Sequence, residues 1–130
     1  MRLLLDTHIW LWTFLQPERI PAAILKILQA PDSELWLSPV SVWELTMLTR
    51  KQRLGLTQNV PEWVEESLKK LPMRQAALTY EIALATQEVD LGDHFDPADR
   101  FLAATAKVLD LILVTMDSRL LAGKGYSVFK

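Results

Sequence analysis

Leu111-Ile112-Leu113-Val114-Thr115-Met116-Asp117 begins as an unbroken apolar run and closes on an acid. A strand with one wet face alternates apolar and polar residues, whereas a run without alternation reads as a strand covered on both faces. Just upstream, Asp96-Pro97 supplies a helix N-cap and a proline at the first helical position, opening a helix that ends near Leu109. Helix followed by doubly covered strand is the grammar of a parallel sheet with crossover helices.

The same grammar extends to both ends of the chain. Leu3-Leu4-Leu5 and Leu35-Trp36-Leu37 read as strands, Leu71–Met73 as a possible short one, and Ser127-Val128-Phe129 as a last one. Helices are expected over Thr7–Leu15, from the Pro17 and Pro21 breaks to about Ala30, and from Ser38-Pro39 to about Arg53. Others are expected near Pro61–Lys70 and Thr79–Val89, and a short one after Asp117 with Gly123 at its end. The fold class is therefore α/β: a three-layer domain with a central parallel sheet of four to five strands flanked by helices. At 130 residues the chain is read as a single domain, residues 1–130.

Composition narrows the function. Half of the residues are hydrophobic and 23% are charged, the mix of a folded domain and not of a disordered one. The longest uncharged apolar stretch, Ile9 to Leu15, is about half a membrane span, so no membrane association is expected. Arg2 is followed by only three leucines before Asp6, which is no signal peptide, and the absence of cysteine fits a cytoplasmic protein. It also removes disulfides, thiolate zinc sites and cysteine nucleophiles. With a net charge of −2, any polyanion must meet local basic patches or a bound cation.

In parallel α/β sheets, ligands sit outside the carboxyl ends of the strands. Asp6 directly follows the first strand, Glu44 lies two turns into the helix after the second, and Asp117 follows Leu111–Val114 closely. Asp99 lies in the first turn of the helix leading into that strand, with Asp96 at its cap. Local roles are open to most of these: Asp6, Asp96 and Asp117 as N-caps, Asp99 as the N3 partner of Asp96. Glu44 has no basic side chain three or four residues away, and Val40, Trp43, Met47 and Leu48 mark its surroundings as apolar. A carboxylate there must be paired, with a distant arginine or with something bound. Two carboxylates about 4 Å apart repel by roughly 4 kcal/mol at an effective dielectric near 20, so a converging set calls for a cation. All-oxygen donors select a hard ion, Mg²⁺ or Mn²⁺, able to activate water against a phosphodiester.

Four segments together resemble the PIN domain, and within it the VapC-type toxins of prokaryotic toxin–antitoxin modules. They are Leu-Leu-Leu-Asp-Thr-His at the start, Ser-Val-Trp-Glu-Leu, Asp-Pro-Ala-Asp-Arg-Phe-Leu-Ala-Ala-Thr-Ala and Leu-Val-Thr-Met-Asp. The resemblance implies a Mg²⁺- or Mn²⁺-dependent endoribonuclease acting on RNA, usually a homodimer, restrained by a small antitoxin protein. It places the four family acids on Asp6, Glu44, Asp99 and Asp117, with Asp6 and Asp99 as direct metal ligands and Asp96 as an additional acid.

Arg50, Lys51 and Arg53, together with Arg100 beside Asp99, are the expected RNA contacts; Lys69, Lys70 and Arg74 form a further basic group. His8 and His94 are not spaced as a metal pair and read as surface or capping residues. Trp10, Trp12 and Phe14 read as core, or as an interface, rather than as base-stacking platforms. Two other readings remain open from the residues. One is a phosphatase or phosphotransfer domain using Asp6 as nucleophile, although His8 stands where a second aspartate is wanted and Thr115-Met116 where a lysine is. The other is a non-enzymatic protein-interaction module whose acidic pocket is structural.

Overall fold

The computed structural model describes residues 1–130. Strands β1 (Arg2–Leu5), β2 (Glu34–Leu37), β3 (Arg74–Gln75), β4 (Ile112–Val114) and β5 (Ser127–Val128) form one sheet in the order β3-β2-β1-β4-β5. Every neighbouring pair is parallel, with Leu3 opposite Leu35 on one side and Ile112 on the other. Helices α1 (Thr7–Leu15), α2 (Ala22–Gln29), α3 (Pro39–Arg50), α4 (Val60–Lys70), α5 (Tyr80–Ala85), α6 (Pro97–Val108) and α7 (Ser118–Ala122) make the crossovers, with a 3₁₀ turn at Pro17–Arg19.

Side chains alternate across a strand, so a run without polar residues must be covered twice. Leu3, Leu5 and Val114 pack into one cluster with Ile9, Trp10, Ile24 and Leu45. Leu4 and Leu113 point the other way, into a cluster with Leu102, Ala103, Ala106 and Leu120. The small residues of α6 let that helix lie close on the sheet. Each fully buried leucine contributes about 1.5–3 kcal/mol. The chain winds outward from β1 to β3, then returns to the other side of β1 for β4 and β5. The reversal leaves a crevice at the carboxyl ends of β1 and β4.

Several boundaries differ from the sequence expectations. Helix α3 ends at Arg50, not Arg53, because Gln52 adopts φ 58° and the turn closes with Arg53 N donating to Leu48 O at 2.9 Å. Leu71 caps α4 through Ser67 O, so β3 begins at Arg74 and not at Leu71. Helix α5 stops at Ala85, after which tight turns carry Val89 and Leu91 into the core. Of the α1 aromatics, Trp10 is core and not spare surface. Trp10 is fully buried and both Trp10 and Phe14 pack edge-on against Trp63. The exposed apolar surface lies instead on Trp43, Tyr80, Leu84 and Phe95. No helix is long and apolar enough to cross a membrane.

Candidate active site

At the β1–β4 crevice, a cleft of about 360 Å³ is lined by Asp6, Glu44, Asp96, Asp99 and Asp117, with His8 and Trp12 at one side and Arg119 at another. The five candidate acids thus meet, although the sequence scatters them from residue 6 to residue 117. Three start helices. Asp6 precedes α1, Asp96 accepts from Ala98 N at 2.9 Å and Asp99 N at 3.3 Å, and Asp117 accepts from Arg119 N at 2.8 Å. The capping and the site readings therefore describe the same residues: a helix that starts at the cleft presents its N-terminal dipole to it and offsets part of the acids' repulsion.

Two threonines tie the acids together. Asp6 is buried, its Oδ1 accepting from Thr7 N at 2.7 Å and its Oδ2 from the Thr115 hydroxyl at 2.7 Å. Thr115 Oγ1 also accepts from Asp117 N at 3.0 Å, linking the ends of β1 and β4. The Thr7 hydroxyl lies 2.5 Å from Glu44 Oε1 and 2.8 Å from Ser41 Oγ. With a single proton it donates to the carboxylate and accepts from the serine. No ion pair of the chain includes Glu44, so the distant-arginine explanation for it falls away.

The charges respond to this crowding. Burial pushes the Glu44 carboxyl up to about 7, against the Thr7 hydrogen bond and with the help of Asp6, Asp99 and Asp96. Burial likewise raises Asp6 and Asp99, the latter against a hydrogen bond from His94. Asp117 goes the other way. Burial alone would raise it, but the hydrogen bonds and charge of Arg119 outweigh burial and hold it below the usual carboxylate value.

His94 departs from the expected surface or capping role. Its side chain is 8% exposed and its Nε2 lies 2.5 Å from Asp99 Oδ2. The donor atoms of His94, Asp96 and Asp99 all lie within 4.8 Å of one another. The available sequence signal was the loop before a Pro-started helix, which folds back over the first turn of that helix. Thr115, which carries no assignment from the sequence, was marked only by its place between a buried strand and an acid.

The donor set fits a hard divalent cation. Asp99 Oδ1, Asp96 Oδ2 and Glu44 Oε2 receive no hydrogen bond from the protein, and Arg119 is the one lysine or arginine lining the cleft. His94 directs its near nitrogen at Asp99 and so steadies that carboxylate.

The basic residues divide. Arg50, Lys51 and Arg53 are exposed at the end of α3. Arg100 does not line the cleft; its guanidinium donates to Thr86 O at 3.3 Å and ties α6 to the end of α5. Arg74 pairs with Glu34 at the amino end of the sheet, and Lys69 with Glu65.

Comparison with known proteins bears on the family and the fold. The PIN domain model matches residues 3–124. The chain is 31% identical over 117 residues to Ribonuclease VapC22 of Mycobacterium tuberculosis (strain ATCC 25618 / H37Rv), covering 90% of this chain and 88% of that protein. Its fold is that of a chain in the crystal structure of VapBC2 from Rickettsia felis bound to a DNA fragment from their promoter. There the TM-score is 0.72 at 15% identity, over 99% of this chain and 98% of the other. For DNA-bound VapBC from Salmonella typhimurium the TM-score is 0.70 at 18% identity, over 99% and 97%. The run of motifs, the five-stranded parallel sheet and the acids at its switch point have one common explanation, and the chain belongs to the PIN domain family.

Proposed function

We propose that this chain is a metal-dependent endoribonuclease, the toxin of a toxin–antitoxin pair, working in the cytoplasm as a homodimer restrained by its antitoxin. The observation that carries the reading is the convergence of Asp6, Glu44, Asp96, Asp99 and Asp117 on one cleft, where Glu44, Asp96 and Asp99 each keep one carboxylate oxygen free of protein hydrogen bonds. The 31% identity to a named ribonuclease supports the substrate class.

Asp6 and Asp99 are the ligands that would hold Mg²⁺ or Mn²⁺, with Asp96 beside them. When bound, the ion lowers the pKa of water and stabilises charge on a phosphodiester. Around it, Thr7 and Thr115 fix the Glu44 and Asp6 carboxylates, and His94 fixes Asp99. Glu44, half-buried and with one oxygen free, takes the proton of the attacking water as that water bonds to phosphorus and the P–O bond to the leaving oxygen breaks. Asp117 and Arg119 close the rim. A phosphoaspartate route through Asp6 is less well served, because both of its oxygens already accept hydrogen bonds and the residue is 6% exposed.

The test is incubation of the purified protein with a mixed RNA pool in Mg²⁺, Mn²⁺ or chelator, with the cut ends mapped. Cleavage should require the metal and vanish in Asp6→Asn and Asp99→Asn while circular dichroism is unchanged. Full activity in both variants, or cleavage in chelator, refutes the reading.

A further inference from the structure

The acidic cleft does not end at its own rim. A second cavity of about 270 Å³ adjoins it, and the two share the side chains of His8 and Trp12 as a common wall. Beyond that wall the charge reverses. Arg19, Arg53, Gln16 and Leu54 line the second cavity, and no carboxylate does.

Trp12 is unlike the other aromatics of α1. Trp10 and Phe14 pack edge-on against Trp63, whereas Trp12 makes no such contact and borders both cavities. The Arg19 guanidinium carbon lies 4.0 Å from its ring centroid, a stacked cation–π contact, and Arg19 is further held by Gln16 Oε1 at 3.2 Å. The His8 ring meets Trp12 at 5.3 Å with the planes tilted by 52°. Arg53 reaches the same cavity because the left-handed turn at Gln52 ends α3 and folds the chain back. Neither Arg19 nor Arg53 makes an ion pair, in contrast to Arg2, Arg74 and Arg119. A layered aromatic–guanidinium platform with unpaired cations beside it is the chemistry that takes an unstacked base and its phosphate.

We infer that this second cavity is a nucleotide subsite: the single-stranded RNA neighbour of the scissile bond stacks on the His8–Trp12–Arg19 layer, and Arg53 holds the phosphate beyond it. The inference rests on the nuclease reading for what occupies the cleft, and on the shared wall and the reversal of charge for where the strand runs next. The small volume, about 270 Å³, selects a single strand over a duplex.

The test uses the full chain and a single-stranded oligonucleotide carrying a mapped cut site, with wild type, Trp12→Leu, Arg19→Gln and Arg53→Gln. Two arms are measured: steady-state cleavage in Mg²⁺, and anisotropy of the labelled oligonucleotide in chelator. Loss of a stacking platform should weaken binding about tenfold or more in Trp12→Leu, raising KM more than it lowers kcat. Arg53→Gln should weaken binding a few-fold and lower the salt slope of log K by about 0.7, the single-strand value for one phosphate contact. Trimming nucleotides on one side of the cut should erase the difference between wild type and Trp12→Leu; trimming the other side should not. Arg53 is exposed, so its variant separates lost binding from lost folding. Wild-type affinity, KM and salt slope in all three variants overturn the subsite even if the wild type cleaves RNA. Absence of cleavage by wild type sinks the nuclease reading and with it the place of the cavity beside a scissile bond; the variant pattern intact in the chelator arm then leaves only a single-strand binding site at His8, Trp12, Arg19 and Arg53.

Discussion

Replacing Asp99 by Asn probes whether the acids form a cation site or merely start helices. Asp99 is 8% exposed, sits in the first turn of α6, faces Asp96 and accepts from His94 at 2.5 Å. Asparagine keeps the shape and an oxygen for His94 but removes one charge from a cleft lined by five carboxylates. In chelator the lost helix-dipole term, about 0.3–1 kcal/mol, opposes relief of repulsion with Asp96 and Asp117. The variant should therefore melt within about 4 °C of wild type, the shift worth about 1 kcal/mol in a domain of this size. Adding Mg²⁺ at about a hundred times its Kd stabilises wild type by about 2.7 kcal/mol, or about 10 °C. If loss of one ligand weakens binding about thirtyfold, the variant gains only about 0.9 kcal/mol, or about 4 °C. Differential scanning fluorimetry of both proteins, in chelator and across a Mg²⁺ series, reads all four numbers. Equal Mg²⁺ shifts in the two proteins, or none in either with the variant simply weaker, would refute the site and leave Asp99 as a helix-start residue.

Two further outcomes follow from the same packing. Glu44 is raised from 4.5 to about 7, so without metal the unfolded chain loses this proton first, and the Glu44 contribution to stability falls as pH rises from about 4.5 to about 7. Urea midpoints of Glu44→Gln in chelator should lack that decline relative to wild type; parallel profiles would rule it out. Gly123→Ala should destabilise the fold by about 1–3 kcal/mol. A Cβ there falls 2.0 Å from Tyr126 Oη, which is held by Leu120 O at 2.6 Å, and 2.9 Å from Leu91 Cδ2. An unchanged urea midpoint would show that Tyr126 can move aside at no cost.

What the chain determined by itself is its periodicity, its punctuation and its acids. Leu3–Leu5 and Leu111–Val114 carry no polar residue, which is sufficient to call for two covering layers, and Ser38-Pro39 and Asp96-Pro97 start helices through side-chain and backbone chemistry local to four residues. These features depend on near neighbours, so they are legible in one dimension. The placement of acids after strands was legible for the same reason, given the rule that a parallel sheet gathers ligands at its carboxyl edge.

Tertiary structure alone decided what each side chain meets. His94 became the partner of Asp99, Thr115 the bridge from Asp6 to Asp117, and Arg100 a brace on Thr86. Of three aromatics on one short helix, Trp10 went into the core, Phe14 packs beside it against Trp63, and Trp12 lies on the wall of the cleft, a difference set by where Trp63 of a distant helix arrives. Helix ends moved similarly: α3 stops at Arg50 because the left-handed turn at Gln52 closes it, and α5 stops early so that Val89 and Leu91 reach the core. Each of these contacts has its energy set by burial and by partners far along the chain, which local pattern does not encode.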